Sequence, residues 1–202
     1  MLKDRLKNNS MEKNNFNIII VGIGGQGLIT LLSIIDEAAF VEGYDIRSSE
    51  LHGLSQREGS VEIHVRFGEK VYSPLVHDGQ ADLIVGLEIL EGLRAVNRAG
   101  KQTEFLIDGY YSPFIGSLRK EEILENINKI PRDKLHLVEA VDICKKELGN
   151  EVVSGIYLLG YAVNKKLIPL KRESVLQAIK NIIPEKYLEL NIKAFELANY
   201  DK

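Results

Sequence analysis

The chain has 202 residues, enough for one domain with a full core. A net charge of −3 with no basic stripe argues against a nucleic-acid binder. A single cysteine, Cys144, excludes an intrachain disulfide and a self-contained iron–sulfur cluster, which takes about four thiolates, and it points to a reducing, cytoplasmic setting.

Residues 1–15 are polar and mildly basic and lack the apolar core of a signal peptide. They are expected to form a disordered tail, with Met1 and Met11 both open as the start, ahead of a single α/β domain over 16–202. No apolar run approaches the ~20 residues of a membrane-spanning helix. The stretch 16–21 is apolar nearly throughout, as suits a strand buried on both faces. Leu28, Leu31, Leu32, Ile35, Ala38 and Ala39 then recur at helical spacing, and Gly43 stops that helix. Tyr44 to Arg47 reads as a second strand, which gives a Rossmann-like βαβ start with a parallel sheet. Val61, Ile63, Val65 and Phe67 alternate with Glu62, His64 and Arg66, predicting a half-exposed antiparallel strand with His64 on the solvent face. Gly68-Glu69 reads as a hairpin turn and Lys70 to Ser73 as the returning strand. The α/β rhythm resumes with strands at 83–86, 104–108 and 135–139 and helices at 87–99, 121–130 and 141–148. Beyond Val152 the chain reads as three helices separated near Pro169 and Pro184. The expected fold is therefore α/β: a mostly parallel twisted sheet, an inserted antiparallel hairpin, helices on both faces and a helical last third. Cys144 and the group Ile156, Tyr157 and Tyr161 read as helix core.

Two motifs carry the functional reading. The first is Gly22-Ile23-Gly24-Gly25-Gln26-Gly27, set between the first strand and the first helix. Glycines allow a tight turn and close ligand approach, and a helix N-terminus offers unpaired N–H groups and partial positive charge. The spacing is also that of the dinucleotide fingerprint, which needs an acid at the end of the second strand for the ribose hydroxyls. Arg47-Ser48-Ser49 stands there instead, with Glu50 slightly late. That weakens NAD and leaves NADP or another phosphorylated nucleotide open. The second motif, Ser48 to Gly59, is dense in hydrogen-bonding side chains and reads as a polar loop for ligand or subunit contact.

Taken together, Gly22-x-Gly24-Gly25-Gln26-Gly27-x-x-Thr30, Gly43-Tyr44 and Glu50-x-His52-Gly53-x-Ser55-Gln56-Arg57-x-Gly59, followed by Ala81-Asp82-Leu83, resemble the gamma domain of the 2-oxoacid:ferredoxin oxidoreductases. The likeness runs from about residue 16 to about residue 190 and is greatest to the indolepyruvate branch, with pyruvate and 2-ketoisovalerate members close rivals. Glu58 departs from the Arg-Gly-Gly sequence of many relatives.

The resemblance implies oxidative decarboxylation of a 2-oxoacid to an acyl-coenzyme A, with electrons passed to ferredoxin. Thiamine diphosphate and the iron–sulfur clusters are then expected on a larger partner subunit, because Asp108-Gly109 lacks the rest of a thiamine motif. The isolated chain is expected to be inactive. Gly22, Gly24, Gly25, Gln26, Gly27 and Thr30 are the candidates for contact with coenzyme A. Ser49, Glu50, His52, Gly53, Gln56 and Arg57 are the candidates for substrate or partner contact, with Arg57 suited to a phosphate or carboxylate and His52 the one weak catalytic candidate. No metal, nucleic acid or membrane is implied, and a homodimer is possible. The rival readings are an autonomous NAD(P)-dependent oxidoreductase, a scaffold subunit without a small-molecule site, and a flavin-binding glycine loop.

Overall fold

The structure is a computed structural model that describes residues 15–52 and 59–199, the side chain of His52 excepted. Six strands form one mixed sheet: β1 (Asn15–Ile23), β2 (Asp45–His52), β3 (Ser60–Gly68), β4 (Ala81–Gly86), β5 (Ala99–Asp108) and β6 (Leu135–Val138). The helices are α1 (Leu28–Val41), α2 (Ile89–Arg94), α3 (Lys120–Ile127), α4 (Ala140–Leu148), α5 (Ser154–Asn164), α6 (Arg172–Ile182) and α7 (Glu185–Leu197). The strand order is β2-β3-β1-β4-β5-β6. Only β3 runs against the others, pairing antiparallel with both β1 and β2.

β1 is central because its side chains are apolar on both faces. Ile18 and Ile20 enter the core shared with α1, α5, α6 and α7, while Ile19 and Val21 enter the core shared with α2 and α3. Each such fully buried aliphatic side chain contributes about 1.5–3 kcal/mol. Helices therefore cover both faces, as expected. Gly160 marks a close helix contact: a Cβ there would lie 2.3 Å from the backbone carbonyl oxygen of Phe195 in α7.

Four expectations change. First, β1 and β2 share a direction but are not neighbours, because β3 lies between them. Asn15 belongs to β1 rather than to a preceding tail. Second, β2 continues through His52, so Ser48, Ser49 and Glu50 are strand residues, not loop residues. Their polarity reflects the position of β2 at the sheet edge. Third, the hairpin is β2–β3. Lys70 to Ser73 forms no returning strand. The chain after β3 crosses instead to β4, on the far side of β1.

The polar side chains of β3 hold that crossing segment. Arg66 donates to the Ser73 carbonyl at 2.9 Å and to Asn17 Oδ1 at 2.9 Å. From β2, Asp45 adds to this by accepting the Val71 N–H at 2.9 Å. His64, expected at the surface, is 2% exposed. Its Nδ1 accepts the Val76 N–H at 2.9 Å, which leaves the proton on Nε2 to be donated to Glu62 at 2.8 Å. That bond, and then the Arg98 guanidinium, hold the Glu62 carboxyl below its usual range. The alternation in β3 is real, but its polar face is a gripped layer rather than a solvated one.

Fourth, the helix expected over 87–99 is shorter. Glu88 caps α2 by accepting the Glu91 N–H at 2.9 Å, and a 3₁₀ turn at Ala95–Arg98 leads directly into β5. The last third holds α5, α6 and α7, broken near the two prolines as expected. Among the described residues no helix is long and apolar enough to cross a membrane.

Candidate functional site

The glycine motif lies at the C-terminal end of β1 and forms the turn into α1. Gly25 has φ +106° and Gly27 has φ +77°, both in the left-handed region that favours glycine. Among the described residues no heavy atom beyond its chain neighbours lies within 4 Å of a Cβ built at Gly25, and the nearest to one at Gly27 is the Val152 carbonyl oxygen at 3.9 Å. Among the described residues the turn is thus open on its outer side. Three of its N–H groups already have acceptors: Ile23 donates to Gln26 Oε1 at 2.8 Å, Gly24 to the Gly59 carbonyl at 2.9 Å, and Gln26 to the Ile23 carbonyl at 3.3 Å. Among the described residues no side chain caps α1, and its first turn holds no acid. The donors left for an anion are those of the helix start, not those of the whole loop.

Directly beside the helix start is a cleft of about 570 Å³. Gln26, Gly27, Ile29, Thr30 and Ser33 form one wall, and residues from Asn150 to Ile156 and from Ile182 to Asn191 form the others. Ile29, Val152, Ile182 and Tyr187 expose apolar surface at its rim. The Asn191 amide donates to the Tyr187 carbonyl one turn back in α7 at 2.8 Å. The cleft thus offers an uncapped helix start with a Thr30 hydroxyl beside an apolar trough. That arrangement suits a ligand with an anionic end and a less polar arm.

Gln26, Gly27 and Thr30 line the cleft. Gly22 and Gly24 shape the turn without lining it. Gly53, Gln56 and Arg57 lie outside the described residues, as does the His52 side chain. The flanks of that segment are placed: His52 pairs with Val61 across β2 and β3, and Gly59 meets Gly24. The two motifs therefore converge at the same end of the sheet. Next to that junction Ser60 donates to Glu91 at 2.6 Å, and Arg94 pairs with the same carboxylate at 2.6 Å. The sequence reading missed the second half of the cleft. Ser33, three positions after Thr30, offers a helical-spacing signal; Asn150, Val152, Tyr187 and Asn191 offer none, because their part depends on how the last helices pack.

A dinucleotide site fits this geometry poorly. In that fold the second strand lies beside the first, with its acid near the glycine turn. Here β3 intervenes, Arg47 pairs with Asp45 at 2.7 Å, and Ser48 donates to Asp36 at 2.7 Å. At the C-terminal end of β5, Asp108 is fully buried and accepts the N–H groups of Tyr110 at 3.0 Å and Val141 at 3.1 Å. Burial pushes its carboxyl up to about 7. Burial, helped by Asp108, also pushes the Cys144 thiol up to about 12. Both act in the core: Asp108 ties β5 to the start of α4, and Cys144 packs.

The match to the pyruvate ferredoxin/flavodoxin oxidoreductase family model covers residues 17–199. The chain is 34% identical over 188 residues to the indolepyruvate oxidoreductase subunit IorB of Pyrococcus horikoshii, covering 90% of this chain and 93% of that protein. It is 31% identical over 175 residues to the pyruvate/ketoisovalerate oxidoreductases common subunit gamma of Pyrococcus abyssi, covering 86% and 89% respectively. Its fold resembles the crystal structure of the keto/oxoacid ferredoxin oxidoreductase gamma subunit from Geobacter sulfurreducens, with a TM-score of 0.68 at 23% identity over 91% of this chain and 96% of that one. It also resembles 31% of a chain of the 2-oxoglutarate:ferredoxin oxidoreductase from Magnetococcus marinus, with a TM-score of 0.70 at 16% identity. The chain belongs to the pyruvate ferredoxin/flavodoxin oxidoreductase family, and it is the size of the separate small subunits found there.

Proposed function

We propose that this chain is the subunit of an indolepyruvate-type 2-oxoacid:ferredoxin oxidoreductase that forms one wall of the coenzyme A site and docks a larger redox subunit. The reaction is oxidative decarboxylation of an arylpyruvate to an acyl-coenzyme A and CO2, with two electrons delivered to ferredoxin through the complex in a reducing, cytoplasmic setting. Identities of 30–34% to several IorB subunits over 90% of the chain favour the arylpyruvate branch.

The observation that carries the coenzyme A assignment is the cleft. Its residues fit the molecule's two chemistries: uncapped helix N–H groups and the Thr30 hydroxyl for phosphate, and the Ile29, Val152 and Ile182 surfaces for the pantetheine arm. Coenzyme A, when bound, supplies the thiol that accepts the acyl group. The part of this chain is to bind and orient that carrier and to exclude water from its arm. Iron–sulfur ligation does not fit this chain, because its single thiol, Cys144, is buried and held in its protonated form. The clusters and the thiamine diphosphate are assigned to the partner, and the 53–58 segment is assigned to contact with it.

Gly27→Val in the assembled complex tests this reading. A β-branched residue at φ +77° strains the helix start and narrows the cleft. The expected result is a rise of roughly tenfold or more in the KM for coenzyme A with the complex intact on gel filtration. An unchanged KM in an intact complex contradicts the assignment.

A further inference from the structure

Gln26 does something the fingerprint does not require. Its side-chain Oε1 accepts the Ile23 N–H at 2.8 Å, while its Nε2 donates to the Leu87 carbonyl at 2.8 Å. The amide orientation is fixed by this pair: a flipped carboxamide would set N–H against N–H and oxygen against oxygen. Leu87 directly follows β4, and its own N–H donates to the Val21 carbonyl of β1 at 2.8 Å. The carboxamide therefore bridges the turn after β1 to the end of the neighbouring strand. Its backbone N–H also reaches the Ile23 carbonyl, so Gln26 grips Ile23 from both sides.

Gly22 completes the arrangement. A Cβ built there would lie 2.7 Å from Gln26 Oε1 and 3.2 Å from Leu87 Cβ. Its φ is not in the left-handed region, so backbone freedom does not explain the glycine. Space for the Gln26 carboxamide does.

We propose that Gln26 is a positioning residue rather than a ligand contact: its carboxamide latches the glycine turn onto β4 and so sets the direction in which the start of α1 opens into the cleft, with Gly22 kept bare to admit it. The latch deepens the coenzyme A reading and rests on it. Two left-handed residues, Gly25 and Gly27, flank Gln26, so the turn has few internal restraints of its own. Without the latch the first turn of α1 samples more than one orientation, and binding there weakens.

The test is a set of variants in the assembled complex: Gln26→Ala, the isosteric Gln26→Glu, Gly22→Ala and the double variant G22A/Q26A, with Gly27→Val as reference. Gln26→Glu keeps the shape and the acceptor for Ile23 but sets a carboxylate against the Leu87 carbonyl. Each Gln26 single variant is expected to raise the KM for coenzyme A roughly tenfold, the factor for about one net hydrogen bond, with the KM for the 2-oxoacid moving less than about twofold. Gly22→Ala is expected to do the same by displacing the carboxamide, and the double variant is expected to be no worse than either single one. Amide hydrogen exchange of the 22–28 segment is expected to accelerate in Gln26→Ala and in Gln26→Glu.

Three results overturn the latch while leaving the coenzyme A reading intact: unchanged coenzyme A KM in the Gln26 variants while Gly27→Val raises it, unchanged exchange at 22–28, or additive effects in the double variant. Equal rises in the KM values of both substrates, or failure of both Gln26 variants to assemble, reduce Gln26 to a general structural part and also overturn it. No change in any variant, Gly27→Val included, overturns the reading beneath it.

Discussion

The N–H of Gly24 donates to the carbonyl of Gly59 at 2.9 Å, so the turn after β1 is fastened to the residue just before β3. This bond joins the two motifs across 35 positions of sequence, counted as 59 − 24. It also removes Gly24 from the set of anion donors. Gly24→Pro deletes the donor, whereas Gly24→Ala keeps it. The proline variant is expected to be less stable than the alanine variant by roughly 1–3 kcal/mol, the cost of a lost donor and an unpaired carbonyl. Equal denaturation midpoints for the two variants would show that the bond contributes nothing.

Asp108 gives a pH dependence with a definite sign. Its folded-state value is about 7 against an ordinary 3.8, so the folded protein holds a proton that the unfolded chain has released. Ionised burial thus costs stability that is absent below about pH 4, grows as pH rises, and is complete above about pH 7. The slope between those limits is about 1.4 kcal/mol per pH unit for one proton, and the total is on the order of 4 kcal/mol. Urea denaturation from pH 5 to pH 8 is expected to show this decline in the native protein and to lose it in Asp108→Asn. A slope shared by both proteins assigns the titration to another group.

Cys144 is fully buried with its thiol pushed up to about 12. Native protein at pH 8 is expected to give no reaction with a disulfide-exchange thiol reagent, and unfolded protein one equivalent. Rapid labelling of the folded chain would place the thiol at an accessible position.

Gly160 and Gly109 separate two kinds of close approach. A Cβ at Gly160 meets the Phe195 carbonyl oxygen at 2.3 Å, and backbone cannot move aside without parting α5 from α7. A Cβ at Gly109 meets the Glu139 carboxylate at 2.2 Å, the far end of an exposed, flexible side chain. Gly160→Ala is expected to cost roughly 2–4 kcal/mol and Gly109→Ala under about 1 kcal/mol. Thermal denaturation of the pair checks the order.

Local signals in the sequence are legible where one element decides the outcome. The apolar run of β1, the glycine turn and the 3.6-residue periodicity of α1 name themselves, and the prolines at 169 and 184 mark the last helices. The readings that fail are those in which a distant segment decides. Alternation in β3 cannot distinguish water from the crossing chain that His64 and Arg66 hold. The polar run Ser48 to His52 looks like a loop because an edge strand has one unpaired side. The cleft joins residues near 27 to residues near 152 and 187, and no local pattern announces that meeting.

The most direct measurement is covalent mapping with a coenzyme A analogue that carries a photoreactive group on its pantetheine arm, irradiated in the assembled complex and located by mass spectrometry. Labelling of this chain within 26–33, or at its cleft partners near 152 and 187, with suppression by excess coenzyme A, is the predicted result. Labelling confined to the larger subunit contradicts it.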